Sequence, residues 1–425
     1  MFPVNDFRQT KGKVLNWLQQ FNTFSFLDNH QYQIEPHTQE CLIAAGVRDR
    51  FGHSGKGSLA SLHDFTKQPK RWLFGHLGYD LKNDLEELSS SHPDHIGFED
   101  VSFFEPMIVL RLSETSLIIE ADDPAEVHLS IQHTSADILS QNDNSSSLSV
   151  QQKISRDEYL SVIKKLQQHI LRGDCYEINF CQEFFAENAH IDPFRIYNNL
   201  SSISPNPFSG LYRQNDKWLL CASPERFIKK EGQKILSQPI KGTAKRVLTD
   251  KTADDQLKKD LFLNPKDRSE NVMVVDLVRN DLAKLCEEGS VKVDELYGIY
   301  SFPQVHQMIS TISGVLKPDT SFSDIVNATF PMGSMTGAPK KRVMQLIEQY
   351  EQTKRGIFSG AIGYISPDGD FDFNVVIRSI MYNSSSQYLS FQAGSAITFY
   401  ADAEAEWEEC VLKASAIRQA LEKRD

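Results

Sequence analysis

Between Ser155 and Glu183 the chain switches from one hydrophobic period to another, and that switch limits the folds open to it. Ser155 and Glu158 have the spacing of a capping box, and Tyr159, Val162, Ile163, Leu166 and Ile170 follow at helical intervals. Gly173 then ends the helix. The next residues alternate, with Tyr176, Ile178, Phe180 and Phe184 on one face and Glu177, Asn179, Cys181 and Glu183 on the other. Further strands are predicted at 218–222, 235–240, 360–365, 373–381 and 388–393, and helices at 271–285, 339–350 and 403–423. Strands and helices mix without strict alternation, which predicts an α+β fold rather than a doubly wound sheet.

A stretch rich in Ser, Asn and Gln, residues 134–152, predicts an exposed connector between residues 1–133 and 153–425. With 45 basic and 57 acidic side chains the formal charge is −12, which gives no general attraction to nucleic acid or anionic membrane. The densest basic run, Lys340-Lys341-Arg342, is too short to reverse that, so neither partner is expected. The six cysteines show no C-x-x-C pair, against a disulfide scaffold or a structural zinc site. The N-terminus lacks an apolar signal core, and no apolar run approaches the roughly 18 residues that cross a bilayer. A reduced, cytoplasmic protein is expected.

Several groupings have both a plain and a chemical reading. Glu406, Glu409 and Lys413 share one stripe of the last predicted helix. They are either a solvated ion-pair stripe or carboxylates for a hard cation such as Mg2+, with Lys413 receiving an anion. The Gly-rich turn from Pro331 to Lys340 runs into a helix whose free amides attract anions, yet it matches no nucleotide-binding fingerprint. Lys241 reads as a turn lysine directly after a strand; Lys245 and Arg246 close by would lower its pKa and free its amine as a nucleophile. Glu225 ends a strand, as a general acid or as a partner for Arg226. Glu270 reads as the first residue of a helix, where the dipole alone favours it. His306 and Arg378 also have ordinary structural readings.

Taken together and in order, these strings closely resemble the chorismate-utilising enzymes, in particular component I of the aminodeoxychorismate synthases. The resemblance covers residues 153–420. It rests on Gly173-Asp174-Cys175-Tyr176, Ser223-Pro224-Glu225-Arg226-Phe227, Pro239-Ile240-Lys241-Gly242-Thr243, Arg268-Ser269-Glu270-Asn271, Asp276-Leu277 with Arg279-Asn280-Asp281, the run from Gly333 to Lys340, Ile377-Arg378-Ser379 and the Glu406/Glu409/Lys413 helix. The N-terminal part resembles the family more weakly, through Ser25-Phe26-Leu27-Asp28 and Gly75-His76-Leu77-Gly78-Tyr79-Asp80.

The resemblance implies a large β-sandwich flanked by helices, with the N-terminal part packed on a chorismate-binding core. It implies Mg2+ on Glu270 and Glu409, with Glu406 acting through water. Arg378, Tyr364, Thr336, Lys413, Gly242 and the backbone at Gly394 and Ala396 would bind the substrate. His306 would face the ring, Glu225 would protonate the departing C4 hydroxyl, and Lys241 would add transiently at C2. Such roles agree with elementary chemistry, since a dianion needs a focused positive site and hydroxide leaves only when protonated.

Two positions choose within the family. Relatives that amidate C2, the anthranilate synthases, typically show Ala where this chain has Lys241. Relatives that add water carry a lysine where it has Glu177, and users of ammonia more often show Gln there. The pair points to amination at C4 for para-aminobenzoate and folate synthesis. Anthranilate synthase component I and a catalytically silent chorismate-binding subunit are the alternatives. No Gly-x-Cys-x-Gly turn of a glutaminase is present, so ammonia is expected from a separate glutamine amidotransferase subunit. Regulated anthranilate synthases share a Leu-Leu-Glu-Ser element; Phe26-Leu27-Asp28-Asn29 differs from it at three of four positions, so inhibition by tryptophan is not expected.

Overall fold

The computed structural model describes residues 1–32, 39–67, 70–137, 148–302 and 305–422. Ser155 caps the helix Arg156–Leu171 through a complete capping box with Glu158, and Tyr159, Ile163 and Leu166 are buried on it. The strand Glu177–Ala186 follows, with Ile178, Phe180 and Phe184 in one core cluster and Cys181 in another. Tyr176, grouped by sequence with the apolar face, precedes the strand and is 73% exposed.

Among the described residues the strands assemble into two antiparallel sheets, of twelve and ten strands. Sheet I runs through Cys41–Ala45, Thr23–Asp28, Phe208–Gln214, Lys217–Ser223, Ser379–Asn383, Tyr388–Ile397 and Glu177–Ala186. Sheet II runs through Ile240–Lys245, Val305–Val315, Lys234–Gln238, Arg226–Glu231, Phe371–Asn374, Ala361–Ile365 and Leu73–Leu77. Segments from either side of the connector pair directly: Asp28 faces Ser209 in sheet I, and Gly75 faces Gly363 in sheet II. Both sheets therefore draw on residues 1–133 and 153–425 alike. Residues 138–147 of the connector lie outside the described residues.

Alternation decides which core each strand feeds. On one face of sheet I, Phe180, Leu220 and Phe391 pack with Tyr159, Leu200, Cys410 and Ile417 from the helices Arg156–Leu171, Pro193–Ile203 and Ala403–Glu422. On the other, Leu42, Tyr212 and Leu219 meet Phe74 and Ile362 of sheet II, and His76 Nδ1 lies 3.1 Å from the Tyr212 hydroxyl. Each such buried side chain contributes about 1.5–3 kcal/mol. The architecture is an α+β sandwich with helices on its flank, in line with the element pattern.

Three predicted elements are corrected. The strand at 235–240 breaks at Pro239, which has no N–H for the ladder, into Lys234–Gln238 and Ile240–Lys245. The strand at 373–381 is two strands in different sheets, Phe371–Asn374 and Ser379–Asn383. The helix expected from residue 271 is Pro265–Ala283, capped by the Asn264 side chain, which accepts from the N–H groups of Lys266 and Asp267. The last helix is described as Ala403–Glu422; its expected end, Lys423, lies outside the described residues.

Candidate active site

The chain crosses from sheet I to sheet II at Pro224-Glu225, between Lys217–Ser223 and Arg226–Glu231. It crosses back at 375–378. These two crossings lie side by side: the Val375 N–H donates to the Glu225 carbonyl at 3.0 Å, and the Ala222 N–H to the Arg378 carbonyl at 3.3 Å. Glu225 and Arg378 thus sit together where the sheets exchange strands, and Arg378 takes a left-handed φ of +51° to do so.

Glu225 is 4% exposed. Burial pushes its carboxyl up to about 7, against the Ser334 hydroxyl, Lys241, the Ile240 backbone and Arg378, all of which favour the charged form. The Arg226 guanidinium forks onto both oxygens of Asp372 at 2.9 Å. Arg378 makes no side-chain hydrogen bond among the described residues. Burial lowers its pKa and Glu225 is the charge that opposes the shift. A guanidinium whose donors are not taken by hydrogen bonds within the described residues suits a carboxylate ligand.

Lys241 lies within the strand Ile240–Lys245 rather than in a turn, at a bulge between Ile240 and Thr243. Gly242 makes the bulge, at φ +91°, and a Cβ there would stand 3.0 Å from Asp267. The Lys241 ammonium donates to Glu177 Oε1 at 2.8 Å, across the gap between the sheets. Lys245 and Arg246 do not act on it as expected: Arg246 binds Asp254 at 2.8 Å. Burial pulls the Lys241 pKa down, but Glu177, Glu270 and Glu225 outweigh it and the net shift is upward. Lys241 therefore rests as an ammonium. Glu177 is 2% exposed, and its Oε2 has no hydrogen-bond partner among the described residues.

Glu270 stands in the second turn of Pro265–Ala283, beyond the reach of the helix end, so the dipole reading fails. Burial pushes it up to about 7; Lys241 and Lys266 oppose this, while Glu177 and Asp267 add to it. Glu406 is 1% exposed and accepts from Lys266 Nζ at 3.1 Å; the same ammonium is 3.9 Å from Glu270 Oε1. Glu409 pairs with Lys413 at 2.7 Å. Its burial favours the neutral acid, yet Lys413 prevails and its pKa is lowered. Among the described residues no three metal-ligating side chains converge closely enough to hold an ion as they stand. Yet Glu270 Oε1 and Glu406 Oε2 are buried acceptors without a hydrogen-bond partner, with Lys266 as the cation between them. Hard oxygens of this kind fit Mg2+.

Other expected residues are placed differently. Thr336 is fully buried and its hydroxyl donates to Met332 within its own turn, whereas Ser334, two residues earlier, reaches Glu225. Tyr364 packs against Trp72 and Phe74 in sheet II, ring centroids 5.9 and 6.0 Å apart. His306 is 2% exposed, with Nδ1 2.9 Å from Ser301 and Nε2 3.2 Å from Asp254. Gly394 and Ala396 lie inside the strand Tyr388–Ile397, opposite Cys181 and Asn179. A Cβ on Gly394 would meet the Phe180 carbonyl at 2.0 Å, so only glycine fits. Lys413 Nζ donates to the Gly394 carbonyl at 3.0 Å, which ties the last helix to that strand.

Sequence reasoning missed the frame behind these groups. Arg355, 3% exposed, donates to the carbonyls of Met335 at 2.7 Å and Asn179 at 2.8 Å and forks onto Glu351. It thereby joins the turn bearing Ser334 to the strand bearing Glu177. Its guanidinium lies 4.6 Å over the Tyr79 ring, and Asp80 accepts from the Gly356 N–H at 3.1 Å. A water-sized cavity of about 10 Å3, bordered by His95, Glu183, Lys354 and Arg355, shares no residue with the carboxylate–lysine cluster.

A site that sets a carboxylic acid of raised pKa, an ammonium and a guanidinium between two sheets suits an enzyme acting on a small anionic molecule. Residues 17–419 match the chorismate binding enzyme family. The chain belongs to that family of chorismate-utilising enzymes. It is 34% identical over 358 residues to an anthranilate synthase component I-like protein of Synechocystis, covering 83% of this chain and 72% of that protein. It is 39% identical over 272 residues to aminodeoxychorismate synthase component 1 of Salmonella typhimurium, covering 64% of this chain and 59% of that one. The match thus spans less than two thirds of the Salmonella protein. Anthranilate synthase component I of Streptococcus pneumoniae shares the fold, with a TM-score of 0.78 at 24% identity over 92% of this chain and 94% of that one. Among the described residues no helix is long and apolar enough to cross a membrane.

Proposed function

We propose that this chain aminates chorismate at C4, giving 4-amino-4-deoxychorismate, the precursor of para-aminobenzoate. The observation that carries this reading is Lys241 in one buried site with Glu225, a lysine within reach of a carboxylic acid near pKa 7. Glu225 protonates the C4 hydroxyl, which leaves as water. Lys241 adds at C2 and is displaced when ammonia bonds C4, which divides one hard substitution into two easier ones. Arg378 binds a substrate carboxylate, Ser334 orients Glu225, and Lys413 with the Gly394–Ala396 backbone closes the anionic end. His306, held by Ser301 and Asp254, borders the ring as a positioning residue.

Glu270, Glu406 and Glu409 are the residues that would hold Mg2+, which when bound supplies positive charge for a substrate carboxylate. Lys266 neutralises Glu406 and Glu270 otherwise. Ammonia would come from a separate glutamine amidotransferase subunit, as component I relatives suggest by name. The six buried, unpaired cysteines suit a reducing compartment such as the cytoplasm.

One observation favours a second reading: the relative matched over 83% of this chain is named for anthranilate synthase component I. Product analysis decides between them. Chorismate, Mg2+ and ammonium should yield 4-amino-4-deoxychorismate by mass spectrometry. Fluorescent anthranilate with release of pyruvate would establish the second reading instead, and binding without turnover would mark a silent subunit.

A further inference from the structure

Lys241 poses a problem for a nucleophile: it is held as an ammonium, and an ammonium has no lone pair. Its surroundings are carboxylates from several elements. Glu177 approaches from sheet I, Glu225 from the crossing between the sheets, Glu270 from the helix Pro265–Ala283, and Glu409 more distantly from the last helix. Among these, Glu177 is the one in hydrogen-bond contact, at 2.8 Å, in a pair 9% and 2% exposed. Its second oxygen is buried and without a hydrogen-bond partner. The relatives that use ammonia more often have glutamine here, which could accept this bond but could not take the proton.

We propose that Glu177 is the base that takes the proton of Lys241 and so frees its amine to attack the substrate. This rests on the reading of Lys241 as nucleophile. The Nζ proton passes along the existing hydrogen bond to Glu177. The freed lone pair bonds C2, the ring π electrons shift, and the C4–O bond breaks, with the oxygen leaving as water on the proton of Glu225. Ammonia then bonds C4, and the C2–N bond breaks with its electron pair returning to Lys241. Glu177 gives its proton back to Lys241, and the ionised Glu225 takes one from the new C4 ammonium. Both acids and the lysine end as they began, and the net change is chorismate plus ammonia to product plus water.

The proposal fixes a pH signature that a structural ion pair would not produce. In the wild type the proton travels inside the pair, so adduct formation should be level between about pH 5 and 6, a unit or more below the point where Glu225 is half ionised. In Glu177→Gln the proton must go to solvent, so the rate should be about 10²-fold lower at pH 6. It should also rise about tenfold per pH unit. Quenched-flow mass spectrometry of the protein with chorismate and Mg2+ alone, without ammonia, reads both. Glu177→Asp, which keeps a carboxylate, should retain the level profile at a reduced rate. A Glu177→Gln rate near wild type with a level profile would overturn the proposal. If Glu177→Gln does not fold by circular dichroism, Glu177→Asp decides: an unchanged rate overturns it, and a slower, level rate supports it. Failure of the wild type itself to form any adduct or C4-aminated product would instead sink the functional reading.

Discussion

Lys241 on sheet II and Glu177 on sheet I meet at 2.8 Å in the interior, so one buried ion pair spans the gap between the two sheets. Removing one partner leaves an uncompensated charge, which costs about 3–5 kcal/mol. Lys241→Ala should therefore lose C4 amination by orders of magnitude and also unfold at lower denaturant. The double variant Lys241→Ala/Glu177→Gln should recover most of the stability and none of the activity. Equal stability of the single and double variants would show that the pair is not coupled.

Glu225 should set the alkaline limb of turnover. Its folded pKa of about 7 is raised, so the acid needed to protonate the hydroxyl is lost as pH climbs past 7, and kcat should fall there. Glu225→Gln should reduce kcat by about 10²–10⁴-fold. The same shift acts on stability with a definite sign. Because the folded pKa lies above the unfolded one, Glu225 destabilises progressively as pH rises from about 4.5 to 7. Glu225→Gln should thus be more stable than wild type at pH 8 by about 1–3 kcal/mol, with little difference at pH 4.5. Urea unfolding at the two pH values checks this, and an equal difference at both would contradict it.

Arg355 should matter to the site without touching substrate. Arg355→Met strands Glu351 and the carbonyls of Met335 and Asn179, and should cost about 3–5 kcal/mol. Arg355→Lys should recover only part of this, because an ammonium cannot match the fork. Thermal unfolding measures both; a Lys variant as stable as wild type would mean the fork is unimportant.

Tryptophan should not inhibit. Asp28, in the stretch where regulated relatives carry their Leu-Leu-Glu-Ser element, is 3% exposed and already paired with Lys11 Nζ, with His30 Nε2 3.4 Å away. Burial favours its neutral acid, yet Lys11 and His30 prevail and its pKa is lowered. Turnover measured with sub-millimolar tryptophan should be unchanged, and inhibition would show that the ligand displaces this pair.

How much of this could be read from the sequence depends on the range of the interactions. The helix Arg156–Leu171 and the two faces of Glu177–Ala186 were legible because capping and alternation are local. The strand break before Ser379 was not, since 373–381 is mostly apolar and β-prone and the left-handed turn falls on Arg378, a non-glycine. Asn264-Pro265 did carry a helix-start signal, but the helix was read only from Asn271. The direction of the Lys241 shift was misjudged because its near neighbours Lys245 and Arg246 are visible in sequence, whereas Glu177 and Glu270 arrive through the fold. Ser334 rather than Thr336 reaches Glu225 for the same reason: which hydroxyl of a turn points inward is decided by its packing.

The most direct measurement is the intact mass of the protein after incubation with chorismate and Mg2+ in the absence of ammonia. The wild type is expected to gain the mass of chorismate less one water, located on Lys241 by peptide mapping, and to lose it when ammonium is added, with 4-amino-4-deoxychorismate released. Lys241→Ala is expected to gain nothing. No adduct on the wild type, together with near-normal C4 amination by Lys241→Ala, would contradict the role of Lys241 as nucleophile.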